Sequence, residues 1–224
     1  MAVKDVTFHD ALSPENGYKW HLIYEDASEN KVYSTDSQYV LDVSKNIYVS
    51  GNNNSLYLCS GSNISKFIFR IKGNYSKFFI GEDARLIGEV NVSGSRQNFI
   101  VGKNTTFQNV TVIIKEHSNV IVGDGCMFSS KIEIRTSDSH SIFDTITGKR
   151  INVPGDVIIG NHVWLGKDVI VSKNIIINDN CIVGAKAFVN KSLVDSYCLY
   201  AGVPARLIRR NVNWTRELIP IDNE

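Results

Sequence analysis

The sequence predicts an all-β solenoid: a left-handed parallel β-helix with one protruding loop and a C-terminal α-helix. Two observations carry the solenoid. One is an aliphatic residue at every sixth position over one stretch, and the other is a looser version of the same pattern upstream. A long polar interruption between them predicts the loop.

The six-residue period runs through Ile159, Leu165, Val171, Ile177, Val183 and Val189. Neither an α-helix nor an extended strand generates such a period, whereas a coil of three short parallel strands does. In that coil the aliphatic side chain points inward. The residue after it (Gly160, Gly166, Ser172, Asn178, Gly184 or Asn190) is of a type suited to a tight corner or positive φ. Val, Ile and Leu suit the pleated surfaces that would stack at ~4.8 Å. Upstream, Ile80-Gly81-Glu82-Asp83, Val101-Gly102-Lys103-Asn104 and Val122-Gly123-Asp124-Gly125 recur 21 residues apart, and Gly51-Asn52-Asn53-Asn54 begins a fainter relative. These read as coils with a few extra residues at one corner.

The period divides the chain into three parts. Residues 1–45 lack it, are rich in aromatic and charged residues, and read as an arm that caps the first coil. Residues 46–203 form the β-helix. Residues 204–224 follow, and the run PARLIRRNVNWTREL predicts an amphipathic helix, with Pro204 near its first turn and Leu207, Ile208, Val212 and Trp214 on its apolar face.

Bulk properties narrow the function. The chain has 224 residues, 43% apolar and 21% charged, and these are ordinary values for a folded domain. A net charge of +1 argues against nucleic acid or an acidic membrane as partner. No apolar run predicts a membrane span, and MAVKDVTFHD does not read as a signal peptide, so the cytoplasm is the expected location. Cys59, Cys126, Cys181 and Cys198 are far apart and read as small buried residues in a reducing compartment.

A β-helix does not name an activity. The informative feature is the place where the period breaks. From Val122 it runs through Phe128 and Ile134 to His140, halts over the loop 141–156, and resumes at Val157-Ile158-Ile159. Insertions into a solenoid commonly serve a purpose other than packing.

The segment Ile134-Arg135-Thr136-Ser137-Asp138-Ser139-His140, the loop, and then Val157-Ile158-Ile159-Gly160-Asn161-His162-Val163-Trp164-Leu165-Gly166 resembles the hexapeptide-repeat acetyltransferases. Ala201-Gly202-Val203-Pro204-Ala205-Arg206 resembles the segment that leads into their C-terminal helix. Within that group the pattern is most similar to bacterial O-acetyltransferases of capsular polysaccharide, including the polysialic acid type. The resemblance covers roughly residues 46–215 and is specific from 122 onward. It implies acetyl-CoA as co-substrate, a surface-glycan hydroxyl as acceptor, and a homotrimer with sites at subunit interfaces.

By the same resemblance His140 is the general base, a role suited to an imidazole that titrates near neutrality. Asp138 orients its ring or binds a substrate hydroxyl, and Trp164 lies beside the thiol arm and the acceptor. Ser139, Gly166, Lys167, Gly184, Ala185, Lys186, Ala201 and Gly202 are the implied contacts of the CoA arm. Arg206, Arg209 or Arg210, with Lys167, are the implied partners of its phosphates. In the loop, Lys149 or Arg150 could meet an acidic sugar. An antibiotic O-acetyltransferase would share the chemistry with a different acceptor. A zinc enzyme using His117, His140 and His162, spaced by 23 and 22 residues, is a weaker alternative because no closely spaced histidine pair accompanies them. A non-catalytic solenoid would leave the broken coil unexplained.

Overall fold

The aliphatic ladders close into a three-faced prism of parallel strands. The computed structural model describes residues 18–220. Face A stacks β2 (Lys31–Ser34), β4 (Ser55–Leu58), β6 (Lys77–Ile80), β8 (Asn98–Val101), β10 (Val120–Val122), β12 (Val157–Ile159) and β15 (Ile175–Ile177), all in parallel. Four long strands each turn a corner: β5 (Asn63–Lys72), β7 (Arg85–Ser93), β9 (Thr106–Lys115) and β11 (Met127–Arg135). Their first residues lie on face B and their last on face C. Downstream the two faces separate, so that β13 (Trp164–Leu165) pairs with the start of β11 and β14 (Ile170–Val171) with its end. Face B continues with β16 (Ile182–Val183) and β18 (Cys198–Ala201). Face C begins with β3 (Ile47–Ser50), which follows the single-turn helix α1 (Val43–Asn46), and ends with β17 (Phe188–Val189).

The prism narrows along its length. In the upstream coils the register advances 21 residues (Asn98 to Asn119), and in the downstream coils 18 (Asn161 to Asp179). The extra residues lengthen face C and widen the interior, which bulkier side chains then fill. Phe67, Phe69, Phe78, Phe99, Phe107 and Phe128 are all fully buried there. The Phe107 and Phe128 rings stack on successive coils at 4.8 Å between centroids. In the narrow part the interior holds Ile159, Leu165, Val171, Ile177, Val183 and Val189, with Val163, Val169, Cys181 and Ala187 between them.

The corner geometry refines the sequence reading. After five of the six aliphatics the residue that adopts left-handed backbone is the third: His162 (φ 54), Asp168 (φ 61), Asn174 (φ 56), Asn180 (φ 60) and Lys186 (φ 61). The glycine immediately after the aliphatic serves a different purpose, the close approach of coils. A Cβ on Gly123 would lie 2.7 Å from the Gly160 carbonyl carbon and 2.8 Å from the Asn161 nitrogen. The polar residue two positions after the aliphatic ties these coils together. Asp124 Oδ1 accepts from Lys103 N (3.0 Å), Asn161 Oδ1 from Asp124 N (2.8 Å) and Asp179 Oδ1 from Asn161 N (2.6 Å).

Both ends depart from expectation. The parallel ladder starts at Lys31, because β2 already pairs with β4, so the first coil lies within the stretch expected to be only a capping arm. The free edge of β2 is covered by β1 (His21–Glu25), paired antiparallel. Residues 1–17 of that arm and 221–224 lie outside the described residues.

At the other end the expected C-terminal α-helix does not form. Residues Arg206–Arg210 are strand β19, antiparallel to β18 with Ala201 opposite Arg206 and Cys198 opposite Arg210. The physical reason is the unpaired edge of β18, where a returning strand satisfies backbone groups that a helix would leave bare. Gly202 (φ 98) and Pro204 lie in the turn that reverses the chain.

Since coil contact is limited by backbone at Gly123, Gly123→Ala is expected to destabilise the protein by about 1–3 kcal/mol. Phe128→Ala empties a fully buried stack and is expected to cost about 3–5 kcal/mol. Chemical denaturation of the two variants checks both values, and a Gly123→Ala midpoint equal to wild type would refute the close-approach account.

Candidate active site

The broken coil sits at the corner where face C passes to face A. After β11, Thr136 N donates to Ile113 O (3.0 Å), and the chain leaves the prism. It returns where Gly155 N donates to Thr136 O (3.0 Å) and Asp156 Oδ1 accepts from Asn119 N (2.8 Å). The register therefore jumps 37 residues at this step, and β12 resumes pairing without a slip. The excursion is itself ordered. Ile151 N donates to Ile142 O (2.8 Å) and Asp144 N to Lys149 O (2.8 Å), which makes a small hairpin. Asp144 Oδ1 accepts from Ile146 N (2.9 Å) and Thr147 N (2.6 Å) at its tip.

A charged network anchors the loop base. Glu116, on the preceding coil, accepts a paired contact from the Arg150 guanidinium and a hydrogen bond from Ser137 Oγ. Those donors hold its carboxyl down at about 2. Asp138 accepts from Lys173 Nζ, on the following coil, and from Asn152 Nδ2 (2.8 Å). The Lys173 ammonium first, and the Asn152 amide second, hold the Asp138 carboxyl below its ordinary range.

His140 is exposed beside this network, and its ring makes no hydrogen bond among the described residues. Two expectations change as a result. The Asp138 carboxylate is engaged by Lys173 and Asn152 and does not hold the His140 ring. Arg150 is engaged by Glu116, which leaves Lys149, exposed and without an ion pair among the described residues, as the loop's available cation.

The implied co-substrate residues gather elsewhere, along the corner between faces B and C. Gly166-Lys167, Gly184-Ala185-Lys186 and Ala201-Gly202 stack there on successive coils. A Cβ on Gly166 would stand 2.7 Å from Ala185 N, and Lys186 N donates to Lys167 O (2.8 Å). Both lysines are exposed. Arg206 lies opposite Ala201 on β19, Arg209 lies opposite Leu199, and Arg210 pairs with Asp195 at 2.9 Å.

Trp164, 36% exposed, lies on face B in an outward row with Met127, Ile182 and Leu199. Ser139 (φ 66) is apart from this group, next to His140. Within one chain, then, the structure brings the CoA-arm candidates together but leaves His140, Asp138 and Ser139 across the width of face C from Trp164.

Trp214 is a residue the sequence reading placed on the wrong element. It folds back over the corner of faces A and B and stacks on His162 at 4.2 Å with 6° between planes. Its Nε1 donates to His162 O (2.9 Å), and its ring lies 6.0 Å from that of Trp164. Arg216 holds the tail down by donating to Cys126 O (2.9 Å) and Thr106 Oγ1 (2.9 Å). No local sequence signal marks this return. His162 also contacts Asn180 Oδ1 (3.1 Å), whereas His117 meets Ser95 O (3.0 Å) at a different corner. The three histidines of the zinc alternative therefore do not converge, and among the described residues no three His, Cys, Asp or Glu side chains are grouped to hold a metal. Burial pushes the thiols of Cys59, Cys126 and Cys181 up to about 12, so none of these is a thiolate nucleophile near neutral pH.

Comparison with known proteins decides the family. The model of the bacterial transferase hexapeptide (six repeats) matches residues 156–191. A polysialic acid O-acetyltransferase of Neisseria meningitidis is 35% identical over 199 residues, 88% of this chain and 91% of that protein. The chain belongs to the hexapeptide-repeat O-acetyltransferases. Two solved members superpose well. The polysialic acid O-acetyltransferase OatWY does so with a TM-score of 0.74 at 33% identity, covering 78% of this chain and 89% of its own. The polySia-specific acetyltransferase NeuO gives 0.69 at 31% identity, covering 76% and 72%. Among the described residues no helix is long and apolar enough to cross a membrane.

In this family member the Glu116–Arg150 pair gives a pH prediction with a definite sign. A carboxyl lowered from 4.5 to about 2 contributes stability above 4.5 and loses it as pH falls toward 2. Glu116→Gln is expected to be less stable than wild type at neutral pH, with the gap shrinking through that window. Denaturant midpoints of both proteins across the range check it, and a constant gap would exclude linkage through Glu116.

Proposed function

We propose that this enzyme moves the acetyl group of acetyl-CoA to a hydroxyl of an acidic bacterial capsular polysaccharide, with His140 as general base. The observation that carries the reading is the broken coil, which leaves an exposed imidazole, without a hydrogen bond among the described residues, at a loop base anchored by two ion pairs. The names of the relatives favour a polysialic acid type of acceptor over a xenobiotic. Acetyl-CoA as donor and a cytoplasmic site of action follow from the same reading.

The acceptor oxygen attacks the thioester carbonyl carbon while His140 takes its proton. The carbonyl electrons move to oxygen and return as the C–S bond breaks. The imidazolium then gives its proton to the departing CoA thiolate, so the base is regenerated and no acyl-enzyme is needed. Lys149, the available cation of the hairpin, suits a sugar carboxylate. The glycine-lined corner at Gly166, Gly184 and Gly202 suits a pantetheine chain, with Lys167, Lys186, Arg206 and Arg209 available to its phosphates.

The separation of His140 from Trp164 supports a site shared between copies. One copy supplies the His140 corner and the next supplies Trp164 and the CoA edge. A homotrimer would satisfy each such pairing by closed symmetry.

Acetyl-CoA turnover by thiol release, with polysialic acid oligomers as acceptor, tests the chemistry. His140→Ala is expected to lose about 10²–10⁴ in kcat while CoA still binds. Full activity in that variant would remove His140 from the mechanism. Mixed assemblies of His140→Ala and Trp164→Ala subunits are expected to regain activity that neither parent has. A mixture as inactive as its parents would place the whole site in one chain.

A further inference from the structure

We infer that Asn152 is the positioning residue for His140, holding the main chain of the base in place from the far side of the loop. The inference rests on the reading of His140 as general base and adds to it a residue that neither the repeat pattern nor the motif singles out.

Asn152 is 8% exposed, although it belongs to a loop whose other members are mostly open to solvent. Its amide is fully used. Oδ1 accepts from Ile142 N (2.7 Å) and Arg150 Nε (3.1 Å), while Nδ2 donates to Asp138 Oδ2 (2.8 Å) and His140 O (2.8 Å). No other standard side chain of this length offers two acceptor lone pairs and two donor hydrogens on neighbouring atoms. The four partners include both sides of the loop base. Asp138 and Ile142 flank His140 at a distance of two residues each, and the His140 carbonyl lies between them.

The rest of the network makes Asn152 a rigid support. Arg150 is fixed by Glu116 on the preceding coil, and Asp138 by Lys173 on the following one. Among the described residues, only the Asn152 side chain hydrogen-bonds to a member of each ion pair and to the His140 main chain. A base whose ring has no hydrogen bond of its own depends on its backbone for placement. Small displacements of a reacting group cost rate even when binding survives.

Kinetics of Asn152→Ala and Asn152→Asp, each also built on His140→Ala, test this. The aspartate variant keeps the acceptor oxygen for Ile142 and Arg150 but turns an oxygen toward the Asp138 carboxylate and the His140 carbonyl. It therefore removes the donor contacts with little change of volume, and it carries the test if the alanine variant does not fold.

The expected result is a fall in kcat on the order of 10- to 100-fold with the KM for acetyl-CoA within about twofold of wild type. On His140→Ala the same substitutions are expected to cost nothing further, because the group they position is gone. Two outcomes overturn the proposal: an unchanged kcat in a folded Asn152→Asp, or an equal loss in the presence and absence of His140. Wild-type activity in His140→Ala alone would instead overturn the base assignment, so failure of that reading is seen separately.

Discussion

Everything in this molecule depends on backbone registry between coils. A parallel ladder forces each coil to place its N–H groups opposite carbonyls of its neighbour, and any unmatched group in the buried wall is costly. That one constraint explains the glycines, since Gly81, Gly102, Gly123 and Gly160 each face the backbone of the next coil so closely that a Cβ would collide. It also explains Asp124, Asn161 and Asp179, each two positions after an inward aliphatic, whose side chains accept the amides a corner would otherwise strand. Registry further limits where an insertion is tolerated. The excursion after Thr136 leaves and returns at one corner, and Gly155 and Asp156 hand the ladder back in step.

The same constraint decides what could be read in advance. Downstream coils advance by equal steps of six, so Ile159 through Val189 reveal both the fold and its interior. Upstream, the extra residues on face C blur the period, yet Ile80, Val101 and Val122 still recur because face A keeps its own short strands. The first coil carries no such signal, because α1 and an irregular connection separate β2 from β3 and no aliphatic-glycine pair marks it. The C-terminal segment misled for a different reason. Its apolar residues satisfy a helical face when taken alone, but an open β-edge beside them outweighs local preference. Propensity cannot register an edge created by residues elsewhere in the chain.

The site divides along similar lines. The positions of His140 at the break and of the stacked glycine corner were legible, because a broken period and recurring small residues are local signals. Glu116, Lys173 and Asn152 were not. Glu116 meets Arg150 across 34 residues and Lys173 meets Asp138 across 35, separations that match no coil length. Only the loop's own length brings them together. Asp138 illustrates the consequence. Two residues from a candidate base it invites a role in orienting the ring, whereas a lysine from the next coil and an asparagine from the loop's return have already claimed its carboxylate.

A prism of fixed cross-section cannot bend one edge toward another. The loop corner and the glycine-lined corner are therefore held apart by face C in every copy, and the stiffness that keeps each edge ordered also prevents a single chain from closing a site between them. Association of copies, as proposed, would remove this difficulty without deforming either edge, because two rigid surfaces can be set against each other at an angle the solenoid itself cannot adopt. It would also separate the two tasks of recognition. The loop at one corner can change length and charge to suit an acceptor while leaving the coils that would hold the acyl donor in register. If His140 is the base, the anchoring of that loop through Glu116 and Lys173, to the coils on either side, would fix the residue whose position matters most within an element that the ladder leaves free in length.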